Sequence, residues 1–241
     1  MEYDLLIIGT TVAALGLAET AGKDLKILIA DQTEMVAYEY VNSFKLPSVY
    51  SESAAYYKRF HDLNADILLN CEITNISYNR GSYLIEIFSG TEYRTFEAKR
   101  IADTRSKEEN ITAKSLNCLI VNKNKDEAVE ILSDKFNHDA FKEVTFIPET
   151  DENLGIMIMK VSCPLEMSLP EARHKLIELW LKRPESLRKW KIAAIGQCFD
   201  TKAKFPYCEK NENYFLLPSD YYITPEESYE AGVQLGRRLL A

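Results

Sequence analysis

The chain has 241 residues, of which 46% are hydrophobic and 27% charged, enough for a buried core of one large domain or two small ones and unlike a disordered or collagenous chain. Its net charge of −8 repels phosphate backbones, so nucleic acid is not an expected partner. No apolar run reaches the roughly 18 residues of a membrane helix, and the apolar start lies behind Glu2 and Asp4 rather than a basic leader, so no membrane span is expected and a cytoplasmic location is.

Residues 3–8, YDLLII, form a continuous apolar run, the pattern of a strand buried on both faces of a parallel sheet. Gly9 ends it, and Val12 to Ala21, rich in Ala and Leu, reads as a helix that stops at Gly22. Lys26 to Ala30 is a second buried strand with Asp31 at its end. Strand, glycine turn, helix and strand within about 30 residues make a βαβ unit.

Residues 32–50 read as irregular, with Asn42-Ser43 and Pro47 as breakers. A helix is predicted over 51–64 and a strand over 66–79, followed by an Asn79-Arg80-Gly81-Ser82 turn. Strands at Tyr83–Ser89 and Arg94–Ala98 complete a three-stranded β-meander inserted in the α/β framework, and Lys99–Asp103 returns as a short strand.

The stretch 113–200 reads as mixed α+β, with strands at Leu116–Val121, Val144–Ile147, Gly155–Cys163 and Ile192–Gly196. Ser168 and Glu171 form a capping box before a helix to about Lys182 with Leu176, Leu179 and Trp180 as its buried stripe, and Pro184 stops it. Tyr214–Leu217 is an apolar strand. Thr224, Pro225 and Glu227 then open the last helix, which runs through Gly232 and Gly236 to Arg237-Arg238.

The expected fold is therefore an α/β Rossmann-like parallel sheet with the inserted meander and a mixed α+β middle region.

The first candidate for chemistry is Gly9-Thr10-Thr11-Val12-Ala13-Ala14, aligned with G-x-G-x-x-G. The first glycine permits the tight turn, the second a close approach of a pyrophosphate, and the third close helix–strand packing. Gly9 is kept, Thr11 stands at the second position and Ala14 at the third. The helix start supplies N–H groups and partial positive charge to a diphosphate. Asp31, 22 positions beyond Gly9, stands where a carboxylate takes the adenosine ribose hydroxyls, with Gln32 beside it; it would repel a 2′-phosphate and so disfavour NADP.

The opening YDLLIIGTTVAALGLAE and the following KILIADQ resemble the start of FAD-dependent oxidoreductases of the glutathione-reductase type. The closing FLLPSDYYITPEESYEAGVQLGRRLLA is similar to that superfamily's final segment, a strand, a Gly-Asp pair and a helix rich in small residues. The resemblance implies an FAD/NAD(P)-binding fold with FAD as cofactor, Asp220 at the flavin ribityl or pyrophosphate region, residues 1–112 and 201–241 as one discontinuous cofactor domain and 113–200 as a cap or substrate region. KRIADTRS resembles the strand ending in Ala-Thr-Gly near the cofactor, which places Thr104 there, and YEYVNSFK, residues 38–45, resembles a loop of the same family. Thr11, Ser219 and Arg105 stand where the family has glycine, and each takes room from a cofactor.

No second strand–glycine–helix fingerprint occurs between 105 and 200, and no C-x-x-C, so a pyridine nucleotide–disulfide reductase is not expected. The cysteines Cys71, Cys118, Cys163, Cys198 and Cys208 are dispersed, as are His61, His138 and His174, so no metal site is predicted. All five cysteines read as free, mostly buried thiols, with the Lys-rich loop between Cys198 and Cys208, a basic neighbourhood of the kind that can lower a thiol pKa, as the lesser alternative. Tyr207, Tyr221, Tyr222 and Arg105 are candidates to line a ring pocket, and no catalytic residue is assigned. Three readings stay open: an FAD-dependent oxidoreductase acting on a small organic substrate, a non-catalytic binding or scaffold protein with an eroded cofactor site, and an NAD-binding enzyme using the first motif alone.

Overall fold

The structure is a computed structural model that describes residues 1–46, 52–122, 141–148, 155–211 and 213–241; the expected breaker Pro47 and His138 lie outside them. Two compact units divide the chain, one of residues 1–38, 53–110 and 203–241, the other of 39–52 and 111–202.

The first unit opens with β1 (Glu2–Ile8), α1 (Val12–Ala21) and β2 (Ile27–Ala30). Thr11 is the N-cap of α1, its hydroxyl accepting from the Ala14 N–H at 3.2 Å. α2 (Ser53–His61) and β3 (Asp66–Leu68) follow. The predicted strand 66–79 is in fact two, because Asn70 takes a left-handed φ of 52° and breaks the run before β4 (Glu72–Asn79).

β5 (Ser82–Ser89) and β6 (Glu92–Asp103) continue the meander. The β4–β5 turn has positive φ at both Arg80 and Gly81, the hairpin geometry whose twist matches that of the strands. The two short strands expected at 94–98 and 99–103 are one strand. Residues 92–98 pair antiparallel with β5, exposed throughout 92–95 and alternating over 95–98, whereas 97–103 pair parallel with β1 and end in a fully buried run. A half-solvated antiparallel ladder alternates and a covered parallel one does not, so one strand carries both patterns.

After the second unit the chain returns through β12 (Cys208–Asn211), β13 (Tyr214–Leu216), a 3-10 turn at Ser219–Tyr221 and α4 (Pro225–Leu240). α4 has the full capping box expected from Thr224 and Glu227. The sheet order is β12-β13-β6-β1-β2-β3, parallel from β13 to β3, with β4 and β5 attached through β6. Leu6, Ile8, Leu28 and Ala30 pack against Ile85, Ile87 and Phe96 of the meander. Leu5 and Ile7, alternating to the opposite face, are equally buried.

The helices α1 and α4 meet without side chains between them. A Cβ on Gly232 would lie 2.1 Å from the Ala13 carbonyl oxygen, and one on Gly16 2.2 Å from that of Tyr229. Glycine at both positions lets the two backbones touch. Arg59 of α2 grips Glu19 of α1 through Nε and Nη2 at 3.0 and 2.8 Å, and the Tyr229 hydroxyl of α4 donates to the same carboxylate at 2.6 Å.

The second unit is an antiparallel sheet of order β10-β7-β9-β8, formed by β7 (Ile111–Val121), β8 (Val144–Pro148), β9 (Ile156–Ser162) and β10 (Lys191–Ile195), with β11 (Asp200–Ala203) paired to β7. The helix α3 (Leu169–Leu181) covers it, with Leu176 buried and Leu179 and Trp180 half-buried in a core that includes Trp190 and Met159. The short β11 and β12 were not expected from the sequence, since neither carries an apolar pattern.

Candidate functional site

The carboxyl ends of β13, β6, β1 and β2 lie side by side, and backbone hydrogen bonds stitch the segments that leave them. Gly9 N donates to Ala30 O, Thr104 N to Ile8 O and Ser219 N to Thr104 O, at 2.9, 2.9 and 3.0 Å. This places Gly9, Asp31 and Thr104 directly after three neighbouring strands, with Asp220 in the 3-10 turn beyond the fourth. In an open α/β sheet, ligands bind in the crevice outside such strand ends.

Gly9 has φ +104°, a conformation closed to L side chains. Thr10, Thr11, Val12, Ala13 and Ala14 are all 1% exposed or less. The Asp31 carboxylate is buried and turns back onto the glycine turn. Its Oδ2 accepts from Thr10 N at 2.6 Å and Thr10 Oγ1 at 3.0 Å, and its Oδ1 from Thr33 N at 3.1 Å. Gln32 is exposed and points to no partner in this group.

The start of α1 also finds partners within the chain. Ala14 N is capped by Thr11, and Ala13 N donates to Ser219 Oγ at 3.3 Å. The Thr11 hydroxyl donates to Thr104 Oγ1 at 2.7 Å, and Thr104 Oγ1 donates on to Ile8 O at 3.0 Å. Thr11 and Ser219, which stand at glycine positions of the resembling family, thus supply polar atoms to the helix start. Asp220 is buried and accepts from the Ser106 hydroxyl.

Arg105 was a candidate for a ring pocket, but the structure packs it on Gly9 instead. A Cβ on Gly9 would lie 2.7 Å from Arg105 Cγ and 2.8 Å from Thr104 Oγ1. Arg105 Nε is 3.2 Å from Asp103 Oδ1. Burial works against the guanidinium charge, but Asp103, and to a lesser extent Tyr38 and Asp31, outweigh it and hold the proton more firmly than usual. Asp103 itself is 1% exposed, and its Oδ2 accepts no hydrogen bond among the described residues, with Lys107 Nζ 3.7 Å away. Sequence reasoning missed Asp103, although an acid at the end of a buried apolar strand is the signal that finds Asp31.

Tyr207 and Tyr222 line a different place, a cavity of about 270 Å³ shared with Leu217, Leu235 and Arg238, and Tyr221 packs edge-on against Tyr222. The basic-loop expectation for Cys198 is overturned: burial, with Glu39 and Asp200 adding to it, pushes its thiol up to about 12. Among the described residues no group of His, Cys, Asp and Glu could hold a metal ion, and no helix is long and apolar enough to cross a membrane.

The strand ends gather residue types that a dinucleotide diphosphate uses, a positive-φ glycine, a helix start, the Asp31 carboxylate and the Arg105 guanidinium, although Asp31 and the Ala13 and Ala14 N–H groups are already hydrogen-bonded within the chain. Beside Gly9 stand two side chains, the stem of Arg105 and the buried, hydrogen-bonded Thr104 hydroxyl.

No protein-family model and no curated protein matches the sequence. Among solved structures the chain is similar to p-nitrophenol 4-monooxygenase from Pseudomonas putida, with TM-score 0.61 and 11% identity over 100% of this chain and 80% of that one. It is also similar to a geranylgeranyl bacteriochlorophyll reductase-like protein from Thermoplasma acidophilum, with TM-score 0.64 and 10% identity over 99% of this chain and 78% of that one. A halogenase mutant in complex with FAD matches with TM-score 0.54 and 15% identity over 99% of this chain and 69% of that one. At these identities the likeness is one of fold: this chain shares the α/β fold of these proteins, with a largely parallel sheet and an antiparallel one.

Proposed function

We propose that this chain is an FAD-dependent oxidoreductase that acts in the cytoplasm on a small organic substrate. The observation that carries the reading is the meeting of the two ends of the chain in one parallel sheet, with Gly9, Asp31, Thr104 and Asp220 gathered at its strand ends. An NAD enzyme built on the first motif alone does not need that C-terminal return. Within the superfamily, the opening and closing segments favour the glutathione-reductase type of cofactor domain, formed from 1–112 and 201–241, with 113–200 as the cap.

In this reading Asp31 and Gln32 would face the adenosine, the segment Gly9 to Ala14 with Thr104 the diphosphate, and Asp220 the ribityl chain. The flavin ring would supply the hydride chemistry, and the protein would position it and tune its electronics.

One observation favours a second reading, a non-catalytic binding or scaffold protein: Thr11 and Ser219 already satisfy the Ala14 and Ala13 N–H groups that a diphosphate would use. Visible flavin absorbance of the purified protein, with melting curves in FAD and NAD, separates the two. A ligand that binds only the native state adds about 2.7 kcal/mol at a hundredfold excess over Kd, or roughly 5–10 °C for a chain of this size. A protein that stays colourless and whose melting temperature does not respond to FAD rejects the oxidoreductase reading.

A further inference from the structure

Resting on the flavoprotein reading, we propose that Arg105 decides whether the crevice takes a dinucleotide. In the free protein its side chain fills the place beside Gly9, and a diphosphate enters only as Arg105 turns away.

A positive-φ glycine after the first strand makes the tight turn into α1, and the crevice at the strand ends beside that turn is where an open α/β sheet takes its ligand. Here the chain itself packs on the turn: Arg105 Cγ lies 2.7 Å and Thr104 Oγ1 2.8 Å from where a Gly9 Cβ would stand. The aliphatic stem of Arg105 therefore lies against the glycine turn at the strand ends, beside a Thr104 hydroxyl that is held by Ile8 O. The position is a defined one, because both the backbone N–H and Nε of Arg105 reach Asp103 Oδ1 at 3.2 Å.

The alternative position has its groundwork as well. The Arg105 side chain is 25% exposed, so a path to solvent exists, whereas Asp103 is almost fully buried at 1%. A buried carboxylate left without a cation is costly. Lys107, on the same segment, already stands 3.7 Å from Asp103 Oδ2, the oxygen that accepts no hydrogen bond. Lys107 can close that distance and carry Asp103 when Arg105 leaves, which gives the segment two arrangements a ligand can choose between.

The released guanidinium also has a use. Asp31, Asp103 and Asp220 make the strand ends acidic, and a diphosphate brings further negative charge. A planar guanidinium that exchanges a carboxylate for a phosphate keeps its pairing throughout. Arg105 is thus a positioning residue for cofactor loading, and steric occupation and charge compensation are its two separable parts.

FAD titrations of the wild-type chain, Arg105→Met and the double variant Asp103→Asn/Arg105→Ala separate these parts, read by flavin fluorescence and by the melting temperature, with each unliganded melt confirming a folded protein. The double variant loses the stem and the carboxylate together. If the Arg105-out arrangement is populated at about 10% in the free chain, removing the occupant tightens FAD binding by about tenfold. Arg105→Met keeps the stem on Gly9 and is expected to bind no tighter than wild type. Should the double variant not fold, Arg105→Ser carries the same expected direction. FAD binding by wild type that is equal to or tighter than that of the stem-deleted variant overturns the proposal and leaves the flavoprotein reading standing. Absence of FAD binding in every folded variant overturns both.

Discussion

Gly232→Ala tests the helix contact that fixes the start of α1, and so the crevice, against the sheet. Two effects oppose each other. Alanine in a helix interior is favoured over glycine by about 1 kcal/mol. Against that, the new Cβ would stand 2.1 Å from Ala13 O, 2.8 Å from Leu17 N and 3.0 Å from Ala13 C, all backbone atoms of α1. Ordinary carbon–oxygen contacts begin near ~3.3 Å, so α4 must move off α1 by about an ångström. No rotamer change can relieve a clash with backbone, and overpacking of this kind costs about 1–3 kcal/mol, occasionally more.

With the clash at or above the upper end of that range, the net destabilisation is expected near ~2 kcal/mol, a fall of roughly 4–8 °C in Tm for a chain of this size. Urea unfolding followed by circular dichroism measures it. Gly236→Ala is a graded comparison, since its Cβ would meet Thr20 Cβ at 2.8 Å and Leu17 O at 3.3 Å, a shallower overlap that calls for a smaller shift of α4. A Gly232→Ala protein as stable as wild type, or destabilised no more than Gly236→Ala, would refute the argument that the two backbones touch.

Thr11→Val removes the hydroxyl that caps Ala14 N and donates to Thr104, while keeping the shape. Loss of the cap costs about 1 kcal/mol and the unmet Thr104 oxygen about as much again, so roughly 2 kcal/mol in denaturant unfolding, with Thr11→Ser close to wild type; equal midpoints for the Val and Ser variants would refute the polar role. Burial alone would push Glu19 up, but Arg59 and Tyr229 more than offset it and hold its carboxyl below the usual range. A carboxylate depressed in the folded state contributes stability that is fully present above its unfolded pKa, about 4.3, and is lost as pH falls through the lower folded value. Urea midpoints should therefore fall less steeply below pH ~4 in Glu19→Gln than in wild type; parallel acid limbs would count against it.

The βαβ opening was legible because each of its signals is local. A continuous apolar run, Gly9, a threonine cap and Gly22 bound β1, α1 and β2, and the helix limits agree with the sequence reading at Val12 and Ala21. The capping boxes at Ser168 and Thr224 set the starts of α3 and α4 in the same way. What escaped was set by neighbours distant in sequence. β6 reads as two strands because its partners change near Ala98, from β5 on one side to β1 on the other. The break at Asn70 hides inside a run of otherwise strand-like residues, and β11 and β12 are held by pairing rather than by any pattern of their own.

The site divides along the same line. That Gly9, Asp31 and Asp220 belong together follows from motif spacing and from the expectation that both ends of the chain build one domain. How they are used does not, because it depends on which side chain reaches which atom. Asp31 spends its acceptors on Thr33, two residues on, and on Thr10, 21 residues back in the glycine turn, a pairing that only the β1–β2 neighbourhood creates. The contact between Arg105 and Gly9 has no local signature, since a missing glycine in a motif says only that room is lost, not what takes it. An arginine is the substitution that leaves the loss reversible: its bulk fills the place beside Gly9, its length lets it leave, and its charge suits the ligand that would replace it. A valine or leucine at position 105 would have closed the crevice without that exchange. The residue that departs furthest from the glycine pattern is therefore the one whose chemistry still answers to a diphosphate.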